Sequence, residues 1–120
     1  MEKRYVTMCR SETVDMAETD RQQKVLDEAV RHEKGKIVRQ YIEFGKADIM
    51  KLRTLRAMAI DGEFDVLLFE SLEVFGYAPD EVQEEVRFLN KYGVKVISAE
   101  EGEMTPDNIA YLYRKQFIVC

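Results

Sequence analysis

No apolar run in this chain approaches the roughly 18 residues that a membrane-spanning helix requires, so no membrane association is expected. Cysteine is scarce: Cys9 and Cys120 stand at opposite ends of the sequence, without the spacing of a metal site. That argues against a disulfide scaffold and suits reduced thiols in a cytoplasmic protein. The opening Met1-Glu2-Lys3-Arg4 is charged and leads into only a short apolar stretch, so no secretory signal is expected. The only histidine, His32, sits beside Glu33 and Lys34 at a helix end, which gives no basis for a catalytic dyad. No strand-to-helix turn carries a glycine-rich phosphate cradle, which leaves a nucleotide-binding domain little support. Positive charge is also in deficit. Eighteen basic against 23 acidic residues leave a net charge of −5, whereas a domain that grips DNA alone normally presents a positive field. Either another part of an assembly holds nucleic acid, or none is bound.

What is present is an alternation of β-branched apolar runs with helical patterns. Arg4–Cys9, Lys36–Glu43, Phe64–Phe69 and Val94–Ser98 read as strands, the third apolar almost throughout, as a central parallel strand should be. In Lys36–Glu43 the apolar content comes from Ile37, Val38, Tyr41 and Ile42. Between the strands, Val25, Leu26, Ala29 and Val30, then Leu52, Leu55, Met58 and Ala59, then Val82, Val86 and Leu89 recur at helical spacing. Asp61-Gly62 and Tyr92-Gly93 punctuate helix ends, while Pro79-Asp80 and Thr105-Pro106 suit helix starts. A last helix is expected over Thr105–Phe117, its face formed by Ile109, Leu112 and Tyr113 with Phe117 a turn on, packed on its own sheet or serving as a short dimer contact. The acidic run Glu100-Glu101-Gly102-Glu103 reads as a solvated loop. With 120 residues the chain has room for one domain, residues 1–120. The order of elements calls for a three-layer α-β-α domain with an open, mostly parallel sheet of four or five strands. In such a sheet the functional crevice lies beyond the carboxyl ends of the strands.

Several segments carry a family likeness. Gly62-Glu63-Phe64-Asp65-Val66-Leu67-Leu68-Phe69-Glu70-Ser71-Leu72-Glu73 resembles the serine recombinase stretch in which Gly-x-Phe-Asp leads a hydrophobic strand into Leu-Asp-Arg-Leu-x-Arg. Tyr5-Val6-Thr7-Met8-Cys9-Arg10-Ser11-Glu12 resembles that family's strand ending in Arg-x-Ser-Thr. Asp20-Arg21-Gln22-Gln23-Lys24-Val25-Leu26 is similar to its first helix, and Gly93-Val94-Lys95-Val96-Ile97-Ser98 to its Gly-Val-x-x-x-Ser strand. The resemblance spans residues 4–102 and is to the catalytic domain of resolvases and invertases. It implies a resolvase-like fold with strand order 2-1-3-4 and an association with site-specific DNA recombination on mobile elements.

The resemblance also implies a chemistry: a serine hydroxyl attacks a backbone phosphodiester and forms a phosphoserine linkage. Several arginines surround the phosphorane-like transition state, where negative charge grows on the non-bridging oxygens. Carried over residue by residue, Arg10 matches the strand-end arginine, Gln22 the helix glutamine, and Glu73 the acidic residue after the third strand. The nucleophile's register falls on Glu12, with Ser11 one residue early. Two arginine positions fall on Val74 and Tyr77, and a third near Ile49, with Lys51 and Arg53 close by. Losing one charge-stabilising donor commonly costs about 100- to 1,000-fold in rate, and a carboxylate at Glu12 would repel a phosphodiester.

Simpler roles stand beside these. Arg10 has Glu43 or Glu70 as ion-pair partners at the strand tips, and Ser11 suits a turn cap. Glu12, Glu70 and Glu73 fit a solvated acidic rim better than a metal site, and Cys9 fits a small buried hydrophobe. The expectation is a resolvase-like domain without strand cleavage, and without cofactor, metal or small-molecule substrate. It would act through self-association, as a homodimer, or through a recombinase or other DNA-bound partner. The alternative is a divergent active recombinase using Ser11. Recombinases continue into a long interface helix and a DNA-binding domain; no C-terminal DNA-binding domain is expected here.

Overall fold

The computed structural model describes residues 2–117, apart from the side chains of Ile49, Lys115, Gln116 and Phe117. The alternating Arg-Tyr-Val-Thr-Met-Cys-Arg-Ser segment forms β1 (Arg4–Ser11), six of whose eight residues are buried. Burial on both faces fits its place inside the sheet, between β2 (Lys36–Phe44) and β3 (Val66–Phe69). β4 (Lys95–Ser98) follows β3, and β5 (Gly102–Met104) closes the far edge, giving the order β2-β1-β3-β4-β5. The first four strands run parallel and β5 is antiparallel to β4. The expected resolvase-like α/β fold and its 2-1-3-4 order are therefore present, with a fifth strand added.

The sheet divides two cores of unequal size. On one face α1 (Met16–His32) lays Leu26 and Val30 against Tyr5, Cys9, Val66 and Leu68. On the other, α2 (Ile49–Ile60), α4 (Pro79–Lys91) and α5 (Ile109–Phe117) cover Val6, Met8, Leu67, Phe69 and Val96. Ile109, Leu112 and Tyr113 belong to this larger core, so α5 packs on its own sheet. Phe117, offered as part of the same face, has its side chain outside those described. No helix among the described residues is long and apolar enough to cross a membrane.

Capping chemistry places the helix starts at the ends of the crevice. Asp15 accepts from the Glu18 N–H at the head of α1, and Asp48 from the Met50 N–H at the head of α2. In α4, Pro79 stands in the first turn while the Glu81 carboxylate accepts from the Ala78 N–H. At its other end Gly93, at φ +82, turns the chain into β4.

Two sequence expectations need correction, and two further features add to them. The acidic run is not simply a solvated loop: Gly102–Met104 pairs with β4, and Glu101 accepts from the Leu72 N–H and the Ser98 hydroxyl. A short helix, α3 (Leu72–Phe75), interrupts the segment after β3. The last helix begins at Ile109, because Thr105–Asn108 forms a turn in which Asn108 accepts from the Thr105 N–H. Val38 and Ile42, which belong to β2's apolar content, are 40% and 48% exposed, because β2 is an edge strand.

Candidate functional site

Arg10 ends the buried part of β1, and α1 holds it there through the backbone. Gln22, itself buried, accepts from the Arg10 N–H at 2.9 Å and donates to the Arg10 carbonyl at 2.7 Å. Its amide also donates to Glu18. Gln22 therefore uses both ends of its amide to fix one peptide position, which sets where the Arg10 side chain leaves the sheet.

That side chain is only 5% exposed, and its charge is met from inside the protein. In the parallel register of β1 and β2, Arg10 lies opposite Glu43, and its Nη2 donates to the Glu43 carboxylate. Nη1 donates to the Gly45 carbonyl at 3.2 Å, and the guanidinium carbon lies 5.5 Å from the centre of the Tyr77 ring. Nε has no hydrogen-bond partner among the described residues, nor does Glu43 Oε1. Burial pushes the Glu43 pKa upward, a shift partly opposed by Arg10 and Lys51. Of the two partners open to Arg10 in the sequence, Glu43 is the one used; Glu70 instead takes two hydrogen bonds from Arg21.

Tyr77, at a position where the resemblance placed an arginine, roofs this pair. Its hydroxyl donates to the Asp48 carbonyl at 2.8 Å, and burial pushes its pKa up to about 12. Tyr113 of α5 in turn donates to the Tyr77 carbonyl. Gly76 precedes Tyr77 with φ +79, and a Cβ there would stand 3.3 Å from Arg10 Cδ, so the close approach as well as the turn favours glycine.

A crevice opens above Arg10 at the carboxyl edge of the sheet. Ser11, Glu12, Gln22, Lys46, Glu73 and Val74 line it together with Arg10, Glu18, Gly45, Ala47, Asp48, Gly76, Tyr77 and Glu81. All five sequence candidates, Arg10, Ser11, Glu12, Gln22 and Glu73, thus meet in one place. Ser11 is half-buried and Glu12 exposed. Lys51 and Arg53 do not line the crevice: Lys51 Nζ lies 5.5 Å from the Tyr41 ring, and exposed Arg53 contacts Met50. The cation that does reach it is Lys46, in the β2–α2 loop, which sequence reasoning missed although any loop at this edge was a candidate. Glu18, Asp48 and Glu81 were missed as well.

The charge of this lining is lopsided. Arg10 and Lys46 face five carboxylates, on Glu12, Glu18, Asp48, Glu73 and Glu81. Glu18 is held firmly ionised, with a pKa of about 2, by hydrogen bonds from Arg21 and Gln22. Nearby, Glu100 is shifted upward by partial burial and then by Glu101, Glu70 and Glu73, as expected where carboxylates crowd. Among the described residues no group of three or more His, Cys, Asp and Glu side chains is placed to hold a metal ion. Cys9, under α1, is buried; its thiol donates to Gln23 and burial raises its pKa to about 12. Cys120 lies outside the described residues.

No family model and none of the curated proteins matches the sequence. Solved structures do match in shape. The N-terminal catalytic domain of TP901-1 integrase aligns with a TM-score of 0.79 over 95% of this chain and 94% of its own, at 17% identity. A resolvase family site-specific recombinase from Streptococcus pneumoniae gives 0.78 over 96% and 88%, at 14% identity. The C-terminal catalytic domain of ISC1926 TnpA, an IS607-like serine recombinase, gives 0.67 over 80% and 70%, at 18% identity. At such identities the likeness is one of architecture, and what it establishes is that this chain carries the fold of the serine recombinase catalytic domain.

Proposed function

We propose that this is a resolvase-like domain of the DNA recombination type that does not cleave DNA and acts by protein association, either with itself or with a recombinase or other DNA-bound partner. The observation that carries the reading is the clamp on Arg10. A pentacovalent phosphorus needs donors free to meet charge as it develops on its oxygens. Here two of the five N–H donors of the buried guanidinium are taken by Glu43 and the Gly45 carbonyl, its charge is met by Glu43, and five carboxylates line the remaining space. Val74 and Tyr77 supply no charge where the resemblance places arginines, and Glu12 holds the nucleophile's register. In this reading Arg10, Gln22 and Glu73 keep the family's positions as structural parts. The buried thiol of Cys9 suits a cytoplasmic setting.

One observation favours the alternative, a divergent recombinase using Ser11: this residue is half-buried in the crevice lining beside Arg10. The two readings separate in one assay. Incubated with nicked or symmetrically cleavable DNA and resolved under denaturing conditions, the protein is expected to give no covalent protein–DNA product. A product that disappears in Ser11→Ala would overturn the proposal and establish Ser11 as the nucleophile.

A further inference from the structure

β2 runs for nine residues along one side of the sheet, paired with β1 and with no described strand beyond it. β5, at the opposite edge, has only three. A free strand edge offers unpaired N–H and C=O groups as a template for a further strand. The register shows what such a strand would meet, because residues opposed in a parallel pair point to the same face of the sheet. Ile42 lies opposite Cys9, and Phe44 opposite Ser11, which puts both on the face covered by α1. They are 48% and 39% exposed. Arg39 lies opposite Val6 and Tyr41 opposite Met8, on the face covered by α2. There the Arg39 guanidinium carbon and Lys51 Nζ stand 6.0 and 5.5 Å from the centre of the Tyr41 ring. The rim of the sheet along β2 is therefore apolar on one face and cationic on the other.

We infer that β2 is the docking edge for an extended acidic segment of another protein, whose side chains alternate between carboxylates and apolar groups and which adds to the sheet as a sixth strand. The inference rests on the reading that the domain acts by association, and it names the surface and the chemistry of the partner.

Charge complementarity selects this occupant. The chain as a whole is acidic, yet Lys36, Arg39, Lys46 and Lys51 follow one another along this edge. Among the described residues none of the four has an ion-pair partner. The nearby carboxylates are engaged: Glu43 is buried against Arg10, and Asp48 accepts from the Met50 N–H. Cations along an edge repel a like edge and leave its ladder to a strand of opposite sign. On the α1 face the preference reverses. Asp27 lines the depression beside Ile37 there, so an acidic side chain is disfavoured and an apolar one meets Ile42 and Phe44. A nucleic acid would use the cations but leave the exposed apolar side chains and the backbone ladder without partners. The β1–β2 register is regular from Arg39 to Phe44, which sets the length of edge that a partner strand can follow.

The test uses the whole chain and a labelled synthetic peptide of about ten residues that alternates glutamate and valine. Fluorescence anisotropy should give a dissociation constant of about 10–100 µM. A peptide of the same composition, with its glutamates and valines in separate blocks, should bind at least about tenfold more weakly, because it cannot match both faces. Arg39→Glu should weaken the alternating peptide by about fivefold, and Arg39→Glu with Lys51→Glu by more than about tenfold, with the circular dichroism unchanged in both. The double variant should instead take up a peptide alternating lysine and valine. Amide hydrogen exchange within Arg39–Phe44 should slow when the glutamate–valine peptide is added. Equal binding of the blocked peptide overturns strand addition, and no binding, or binding without protection of β2, overturns the edge. Tighter binding of a single-stranded oligonucleotide that the peptide displaces would make this a phosphate-binding edge and overturns the proposal too. Strand cleavage is decided separately by the covalent-adduct assay, so loss of this edge leaves association through another face.

Discussion

Arg10 shows how a strand-end cation can find its partners inside the protein. A guanidinium acts on an external phosphate through donors left free by the protein, and here the two terminal nitrogens are engaged by Glu43 and Gly45. Burying that pair makes each member depend on the other. Glu43→Ala should lower unfolding stability by about 3–5 kcal/mol in urea titration, because it strands a buried cation. Glu43→Gln keeps an acceptor for Nη2 and should cost less. The pH dependence carries a sign. Burial raises the Glu43 pKa above its ordinary 4.5, so the folded state holds this proton more tightly than the unfolded chain. Its contribution is therefore fully present below about pH 4.5 and is lost as pH rises through the folded value. Stability measured from pH 4 to 8 should consequently show Glu43→Gln gaining on the wild type with rising pH. A trend in the opposite direction would mean that attraction to Arg10, not burial, dominates at this site.

At the scale of elements, the site is held by short pieces that sequence periodicity does not register. Ser71 caps α3 through the Val74 N–H, and Glu101 joins the head of α3 to the β4–β5 turn through Leu72 and Ser98. Glu101→Ala removes the acceptor of both donors and should cost about 1–3 kcal/mol by thermal or urea unfolding, with Glu101→Gln recovering part of it. The four parallel strands and α1, α2 and α4 were legible in the sequence, because each carries an apolar run or a helical stripe long enough to show its period. α3 has four residues and β5 three, too few to display one. Thr105-Pro106 imitates a helix start, yet the Pro106 carbonyl is taken by Gln83 and the helix begins three residues later. The site was legible to the extent that it lies at strand ends: Arg10, Ser11, Glu12, Gln22 and Glu73 converge there. The identity of Arg10's partner was not, since Glu43 and Glu70 both stand at strand tips. Only the register opposing Arg10 to Glu43, and the capture of Glu70 by Arg21 from α1, decides between them.

For the whole molecule the governing quantity is where the positive charge lies. Binding to duplex DNA releases about 0.9 counterion per neutralised phosphate, so the slope of log K against log salt counts the cations engaged. At the carboxyl edge Lys46 and Arg10 are the only cations among the described residues that line the crevice, Arg10 is held by Glu43, and five carboxylates oppose any phosphate that approaches. That face can contribute at most one or two contacts. Fluorescence anisotropy with a labelled duplex should therefore give this chain alone a dissociation constant weaker than the 10⁻⁴–10⁻⁶ M typical of non-specific binders near physiological salt, with a salt slope shallower than about −2. A slope of −5 or steeper would require five or more engaged cations, which the crevice does not possess. It would locate a DNA-binding face elsewhere, and Lys46→Ala would then leave the slope unchanged. If the shallow slope holds, the carboxyl edge of this chain does not hold a duplex by itself, because the carboxylates of its crevice outnumber the cations there.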